Sequence, residues 1–201
     1  MTESDVEFVL FDLGGVLIEL GRLSDLQEST GFLGDRETWR QLLEPWICRF
    51  EMGECSADEF STGVVADWGV DITPARWLEI LRAWPIGPYP GTADVLLDLQ
   101  QSVAIGCLSN TNSLHWADQS ARWPMLEIFD HRFLSFELGL RKPDIAIFQA
   151  VADRLPYSRD RVLFLDDLAV NVESARSFGF RSEQVRGLDE VVKVLNDSGL
   201  R

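Results

Sequence analysis

Four short apolar runs punctuate the chain, and each gives way to polar residues. Phe8-Val9-Leu10-Phe11 ends at Asp12, and Val103-Ala104-Ile105-Gly106-Cys107-Leu108 ends at Ser109-Asn110. Arg132-Phe133-Leu134-Ser135 is weaker and leads toward Arg141-Lys142, while Val162-Leu163-Phe164-Leu165 ends at Asp166-Asp167. Runs this short, rich in Val, Leu and Phe and without alternation, predict strands buried on both faces.

Helical spacing fills the intervals. Val95, Leu96 and Leu99 share a face after Thr92, and Asp144 is placed to cap a helix carrying Ile145, Phe148, Val151 and Leu155. Val172, Ala175 and Phe178 continue a third helix that Gly179 can end, and a last one runs from about Asp189 to Asn196. Strands alternating with helices predict an α/β fold, a Rossmann-like parallel sheet with helices on both faces. Residues 19–88 break this rhythm. They carry helical patterning without a buried strand, hold five tryptophans (Trp39, Trp46, Trp68, Trp77, Trp84), and end in the turn-rich Pro85-Ile86-Gly87-Pro88-Tyr89-Pro90-Gly91. The expected organisation is a core domain of residues 1–18 and 89–201, with residues 19–88 forming a small all-helical cap inserted after the first strand. At helical spacing the tryptophans read first as the core of that cap.

Composition narrows the function. The chain has 201 residues, 46% hydrophobic and 25% charged, enough for one sizeable core. No apolar run is long enough to cross a bilayer and the acidic N-terminus is unlike a secretory signal, so no membrane partner is expected. Three cysteines without a CxxC pair fit a reducing, cytoplasmic setting. A net charge of −15 argues against nucleic acid as a partner, and requires any phosphate site to bring local donors and a cation.

The strand ends supply such a site. Ligands of open parallel sheets bind beyond the carboxyl ends of the strands. There Asp12, Asp166 and Asp167 would meet Ser109, Asn110 and Lys142. Three adjacent carboxylates repel, and a hard divalent cation with oxygen ligands, Mg²⁺, resolves the repulsion and attracts phosphate. Lys142, Ser109 and backbone N–H groups would then hold the phosphate oxygens. Taken singly, each residue has a local alternative: a strand terminus for Asp12, a helix cap for Asp166-Asp167, a polar turn for Ser109-Asn110-Thr111-Asn112, a solvated helix entry for Lys142.

With these motifs in order, the chain resembles the haloacid dehalogenase-like hydrolase superfamily. Phe-Asp12-Leu-Gly-Gly-Val resembles its first motif, Leu-Ser109-Asn110 its second, Gly-Leu-Arg-Lys142-Pro-Asp its third, and Phe-Leu-Asp166-Asp167 with Asn171 its fourth. The wording is similar to that of α-D-glucose-1-phosphate phosphatase-like sugar phosphatases. The resemblance implies a Mg²⁺-dependent phosphatase of a small phosphorylated metabolite, a sugar phosphate being favoured. Asp12 would be the nucleophile and Lys142 its electrostatic partner. Asp12, Asp166, Asp167 and the Gly14 carbonyl would hold the metal, and Ser109, Asn110 and Lys142 the phosphate.

One position departs from that family's pattern. Most of its phosphatases carry a second Asp, the general acid–base, where this chain has Gly14. Proton transfer of this kind is worth about 10² to 10⁴ in rate. Its loss leaves three readings: a leaving group that needs no proton, a substitute such as Glu19 or His115, or a phosphate-binding protein with little turnover. Transfer between sugars, as in a phosphomutase, leans harder on the missing acid. Residues 19–88 contain no lysine, which excludes the Schiff-base route to phosphonate cleavage. The oligomeric state is left open.

Overall fold

A computed structural model describes residues 5–31 and 36–201, with the side chains of Leu23, Arg36, Trp39 and Arg40 outside the description. Its centre is a five-stranded, wholly parallel sheet. The strands are β1 (Phe8–Phe11), β4 (Ala104–Ser109), β5 (His131–Leu134), β6 (Val162–Asp166) and β7 (Arg181–Gln184), in the order β5-β4-β1-β6-β7. β1 lies in the middle, so all four of its residues are fully buried. The period of two splits them between two cores. Val9 and Phe11 join the layer containing α5 (Thr92–Leu99) and α10 (Gly187–Asp197). Phe8 and Leu10 join that of α8 (Ile145–Ala152) and α9 (Ala169–Phe178). The unbroken apolar run in the sequence is thus two half-cores written alternately.

Local signals set the helix ends. The Asp144 side chain accepts from the Ala146 N–H as the cap of α8, and Gly179 closes α9 in the left-handed region at φ 108°. Two elements carry no apolar signature of their own. Among the described residues β7 is an edge strand paired only with β6, and Ser182 alone among its residues is buried. α6 (Ser113–Arg122) follows β4 and is capped by the Asn112 side chain.

Between β1 and β4 the chain leaves the sheet. β2 (Ile18–Leu20) and β3 (Pro85–Pro88) pair antiparallel, so the stretch read as a turn-rich connector is extended and hydrogen-bonded. Beyond this neck come four helices, α1 (Leu23–Thr30), α2 (Arg36–Glu51), α3 (Ala57–Trp68) and α4 (Pro74–Arg82). Their interior is aromatic. Phe50 stacks on Phe60 at 4.6 Å between centroids, and Trp68 meets Trp77 edge-on at 4.8 Å. Trp68 and Trp77 are therefore packing residues; Trp84, half-buried at the neck, packs against the same cluster and also lines a cavity.

The four-helix insertion touches the sheet domain through α6 and α7 (Ser135–Leu138). Gly53, at φ 71°, lies so close to the Phe136 carbonyl that a Cβ there would approach its oxygen to 2.5 Å. The Leu81 carbonyl at the end of α4 accepts from His115 on α6 at 2.7 Å. That bond requires His115 to carry its proton on Nε2, leaving Nδ1 to accept from Asn112 Nδ2 at 3.3 Å.

Candidate active site

The sheet order explains why these residues meet. The chain runs outward from β1 to β4 and β5, then returns to β6 on the other side, so the connections diverge between β1 and β6. Asp12 follows one of these strands and Asp166 ends the other. Asp12 extends the ladder, its N–H donating to the Leu165 carbonyl at 2.8 Å.

Lys142 enters from the loop between α7 and α8 and is 2% exposed. Its ammonium donates to Asp166 Oδ2 at 2.7 Å and to the Leu108 carbonyl at 2.9 Å, and lies 3.0 Å from Asp12 Oδ1. All three of its donors are thereby used. Asn110 fixes the loop that delivers it. Its Oδ1 accepts from the Lys142 N–H at 2.8 Å and its Nδ2 donates to the Lys142 carbonyl at 2.9 Å. The Asn110 amide, expected to face phosphate, is thus engaged with the Lys142 backbone.

Asp166 has no exposed surface. Oδ1 accepts from the Leu168 N–H and Asn171 Nδ2, both at 2.9 Å; Oδ2 accepts from Lys142 and, at 3.1 Å, from Asn171. Asn171, part of the fourth motif in the sequence, emerges as the group that orients this carboxylate. Asp12 differs. Oδ1 takes the Leu13 N–H at 2.7 Å as well as Lys142, while Oδ2 accepts no hydrogen bond among the described residues.

Oxygens of Asp12, Asp166 and Asp167 lie within 4.8 Å of one another. Burial pushes the Asp12 carboxyl up to about 7, with Asp166 and Asp167 adding repulsion and Lys142 opposing it. Burial, then Asp166, likewise raises Asp167. Burial alone would lower Lys142, but Asp12 and Asp166 outweigh it and hold the ammonium above its usual range. One cation against three carboxylates leaves two negative charges unmatched. An oxygen-only donor set with that deficit suits a hard divalent cation. Gly15 makes room for the Asp167 carboxylate: at φ 74° it lies so near that a Cβ would come within 2.8 Å of Oδ2.

The cluster opens into a cavity of about 560 Å³ between sheet and insertion. Asp12, Gly14, Ser109, Thr111, Lys142 and Asp167 form its floor. Among the described residues, the Ser109 and Thr111 hydroxyls make no hydrogen bonds to protein groups and face the cavity. Their neighbour Ser135 holds the turn, accepting from the Thr111 N–H and donating to its carbonyl, each at 2.9 Å. Arg141 reaches the opposite way from Lys142, contacting Glu44 at 3.1 Å and Glu51 at 3.0 Å, both on α2, and the Cys48 thiol. Sequence gave no sign of that role; an Arg beside a buried Lys is legible only once the insertion is placed.

Two proposed acid–base substitutes behave differently. Glu19 is exposed on β2 and does not line the cavity, since the strand's alternation sends Leu20 there instead. His115 does line it, but both ring nitrogens are engaged and burial lowers its pKa. At Gly14 itself, a Cβ would lie 3.1 Å from Leu20 Cδ1, so apolar carbon occupies the space where an acidic side chain would begin.

The chain is 28% identical to D-ribitol-5-phosphate phosphatase of Bacteroides thetaiotaomicron, covering 89% of this chain and 91% of that one. It is 26% identical to the sesquiterpene phosphatase astK of Aspergillus oryzae, covering 85% of each. Drimenol cyclase drtB of Aspergillus calidoustus is 41% identical over 96% of this chain, which spans 36% of its length. Among solved structures, a haloacid dehalogenase family enzyme of B. thetaiotaomicron, in complex with magnesium and inorganic phosphate, superposes with a TM-score of 0.78. It is 25% identical, covering 90% of this chain and 94% of that one. The family model for haloacid dehalogenase-like hydrolases matches residues 6–179, which hold all four strand-end motifs, and this chain belongs to that family of hydrolases.

Proposed function

We propose that this protein is a Mg²⁺-dependent phosphatase that releases phosphate from a small organic phosphate through an aspartyl-phosphate at Asp12. The observation that carries the proposal is the division of labour between the two Asp12 oxygens. Oδ1 is tied to Lys142 and the Leu13 N–H, which leaves Oδ2 as the oxygen with a lone pair for phosphorus. Asp12, Asp166 and Asp167, with the Gly14 carbonyl, are the groups to hold Mg²⁺, which would neutralise phosphate charge when bound. Lys142 balances charge at the attacked phosphorus. The Ser109 and Thr111 hydroxyls and the Asn110 backbone N–H bind phosphate oxygens. Asn110 serves chiefly by holding Lys142 in place. The magnesium and phosphate seen in the structural relative, and the phosphatase names of two sequence relatives, support the reading.

With Leu20 beside Gly14, no side chain at that position protonates the leaving group. Anhydride and acyl phosphates should therefore turn over faster than simple alkyl esters. The test is phosphate release from acetyl phosphate, sugar phosphates and alkyl phosphates, with Mg²⁺ and with EDTA. Release that persists in EDTA, or that survives Asp12→Asn, defeats the mechanism. If ligands raise the melting temperature but no substrate is cleaved, the protein is a phosphate-binding module instead. The two named relatives point to different substrates, a polyol phosphate and a terpenoid, and the cavity walls bear on that choice.

A further inference from the structure

The cavity has two unlike ends. Its floor is the carboxylate, lysine and hydroxyl cluster; its far wall is largely carbon. Leu20, Leu26, Leu43, Ile47, Leu81 and Trp84 all face it, drawn from the neck and from α1, α2 and α4. Leu20 is 38% exposed and Leu168, also on the lining, 51%, so large apolar side chains stand open at the site.

Most polar side chains of that wall already face one another. Glu44 and Glu51 both pair with Arg141. His115 is held by Leu81 and Asn112. Among the described residues, Gln119 makes no side-chain hydrogen bond, and Glu51 Oε2 and Arg141 Nε lack hydrogen-bond partners although they face each other as an ion pair; these few groups are fewer than the hydroxyls of a polyol. A buried hydroxyl without a partner is costly, whereas carbon against carbon is favourable.

We infer that the organic part of the substrate is an apolar, isoprenoid-like alkyl chain, its phosphate on the Asp12 floor and its tail along the Leu20–Leu43–Trp84 wall. This rests on the phosphatase reading and adds the substrate class. At roughly 30 Å³ for each water-sized group, a tail of about ten to fifteen carbons with its phosphate suits a cavity of about 560 Å³. The tail is recognised whether its head is a monophosphate or a diphosphate. With no acid at Gly14 the diphosphate is the better substrate: Asp12 attacks the terminal phosphorus, the anhydride P–O bond breaks, and the alkyl monophosphate leaves as an anion that needs no proton. Water then releases the phosphate from Asp12.

The experiment compares kcat/KM for acetyl phosphate, ribitol 5-phosphate, and isoprenyl mono- and diphosphates of five, ten and fifteen carbons, at one Mg²⁺ concentration. Full burial of the tail predicts a rise of about fourfold per methylene until the wall is filled, with the ten- and fifteen-carbon substrates at least tenfold above the polyol phosphate. Leu43→Gln should flatten that slope. Leu20→Gln, at a more exposed position that threatens the fold less, should do so as well. A slope that is flat in the native protein, or a polyol phosphate cleaved as well as the isoprenyl ones, overturns the inference while leaving the phosphatase intact. If nothing is cleaved, acetyl phosphate included, the phosphatase reading falls. The melting temperature then decides the tail separately: it must rise with isoprenyl chain length and stay unmoved by ribitol 5-phosphate.

Discussion

Arg141 and Lys142 are neighbours in sequence and serve opposite sides of one cleft. Lys142 turns inward, is nearly inaccessible, and ties Asp12 to Asp166 on two strands of the sheet. Arg141 turns outward, is half-buried, and ties the loop to two glutamates of α2. The first arrangement sets a cation between two buried carboxylates; the second fastens one wall of the cavity. A buried cation between carboxylates tolerates no loss of partner, because truncation leaves uncompensated charge in a dry site. A partly solvated pair is worth far less. The floor should therefore be brittle to mutation and the insertion forgiving.

The sharpest break is Asp12→Asn. It keeps the shape of the floor and removes the proposed nucleophile, so phosphate release should fall by at least about 10³ while the unfolding transition persists; activity near wild type would dissolve the distinction between floor and wall. Next is Lys142→Met, which strands Asp12 and Asp166 together. We expect a loss of about 3 kcal/mol in urea unfolding without metal, part of it recovered on adding Mg²⁺; no recovery would mean that the carboxylates do not share a cation. Gly15→Ala is smaller. Forcing an alanine into the left-handed region costs about 1 to 2 kcal/mol, and its Cβ must displace Asp167, so Mg²⁺ affinity measured by calorimetry should weaken. Unaltered affinity would remove Asp167 from the metal set.

The smallest effect concerns the seam between insertion and sheet. Burial lowers the His115 pKa from 6.5. Above pH 6.5 the ring is neutral folded or unfolded, and the seam is intact. As pH falls below 6.5 the unfolded chain takes up the proton first, so stability declines, by at most about 1.4 kcal/mol per pH unit. His115→Asn should flatten that decline in thermal melts between pH 5 and 7. An unchanged slope would place the proton elsewhere.

The strand ends were legible because buried parallel strands leave long apolar runs, and a run that stops at Asp12 or at Asp166-Asp167 marks where the sheet opens. β7 was not, since an edge strand can be built from Arg, Ser, Glu and Gln once β6 offers it a ladder. Pro85–Pro88 read as a connector for the opposite reason: proline and glycine suggest turns, yet pairing with Ile18–Leu20 holds them straight. At the site, charge could be read and commitment could not. Asn110 was expected to face phosphate, but its amide is fastened to the Lys142 backbone, and Glu19 is carried outward by the alternation of a strand that its own sequence does not announce.

The neck has a consequence for descent. Its two strands lie side by side, held by Gly21 to Trp84 at 2.8 Å and Tyr89 to Leu17 at 3.0 Å, so the chain departs and returns at nearly one point. A lineage can lengthen, shorten or replace everything beyond that point without shifting the register of β1 against β4. Leu20 and Trp84, which belong to the neck itself, are the part of the cavity wall that such an exchange carries along last.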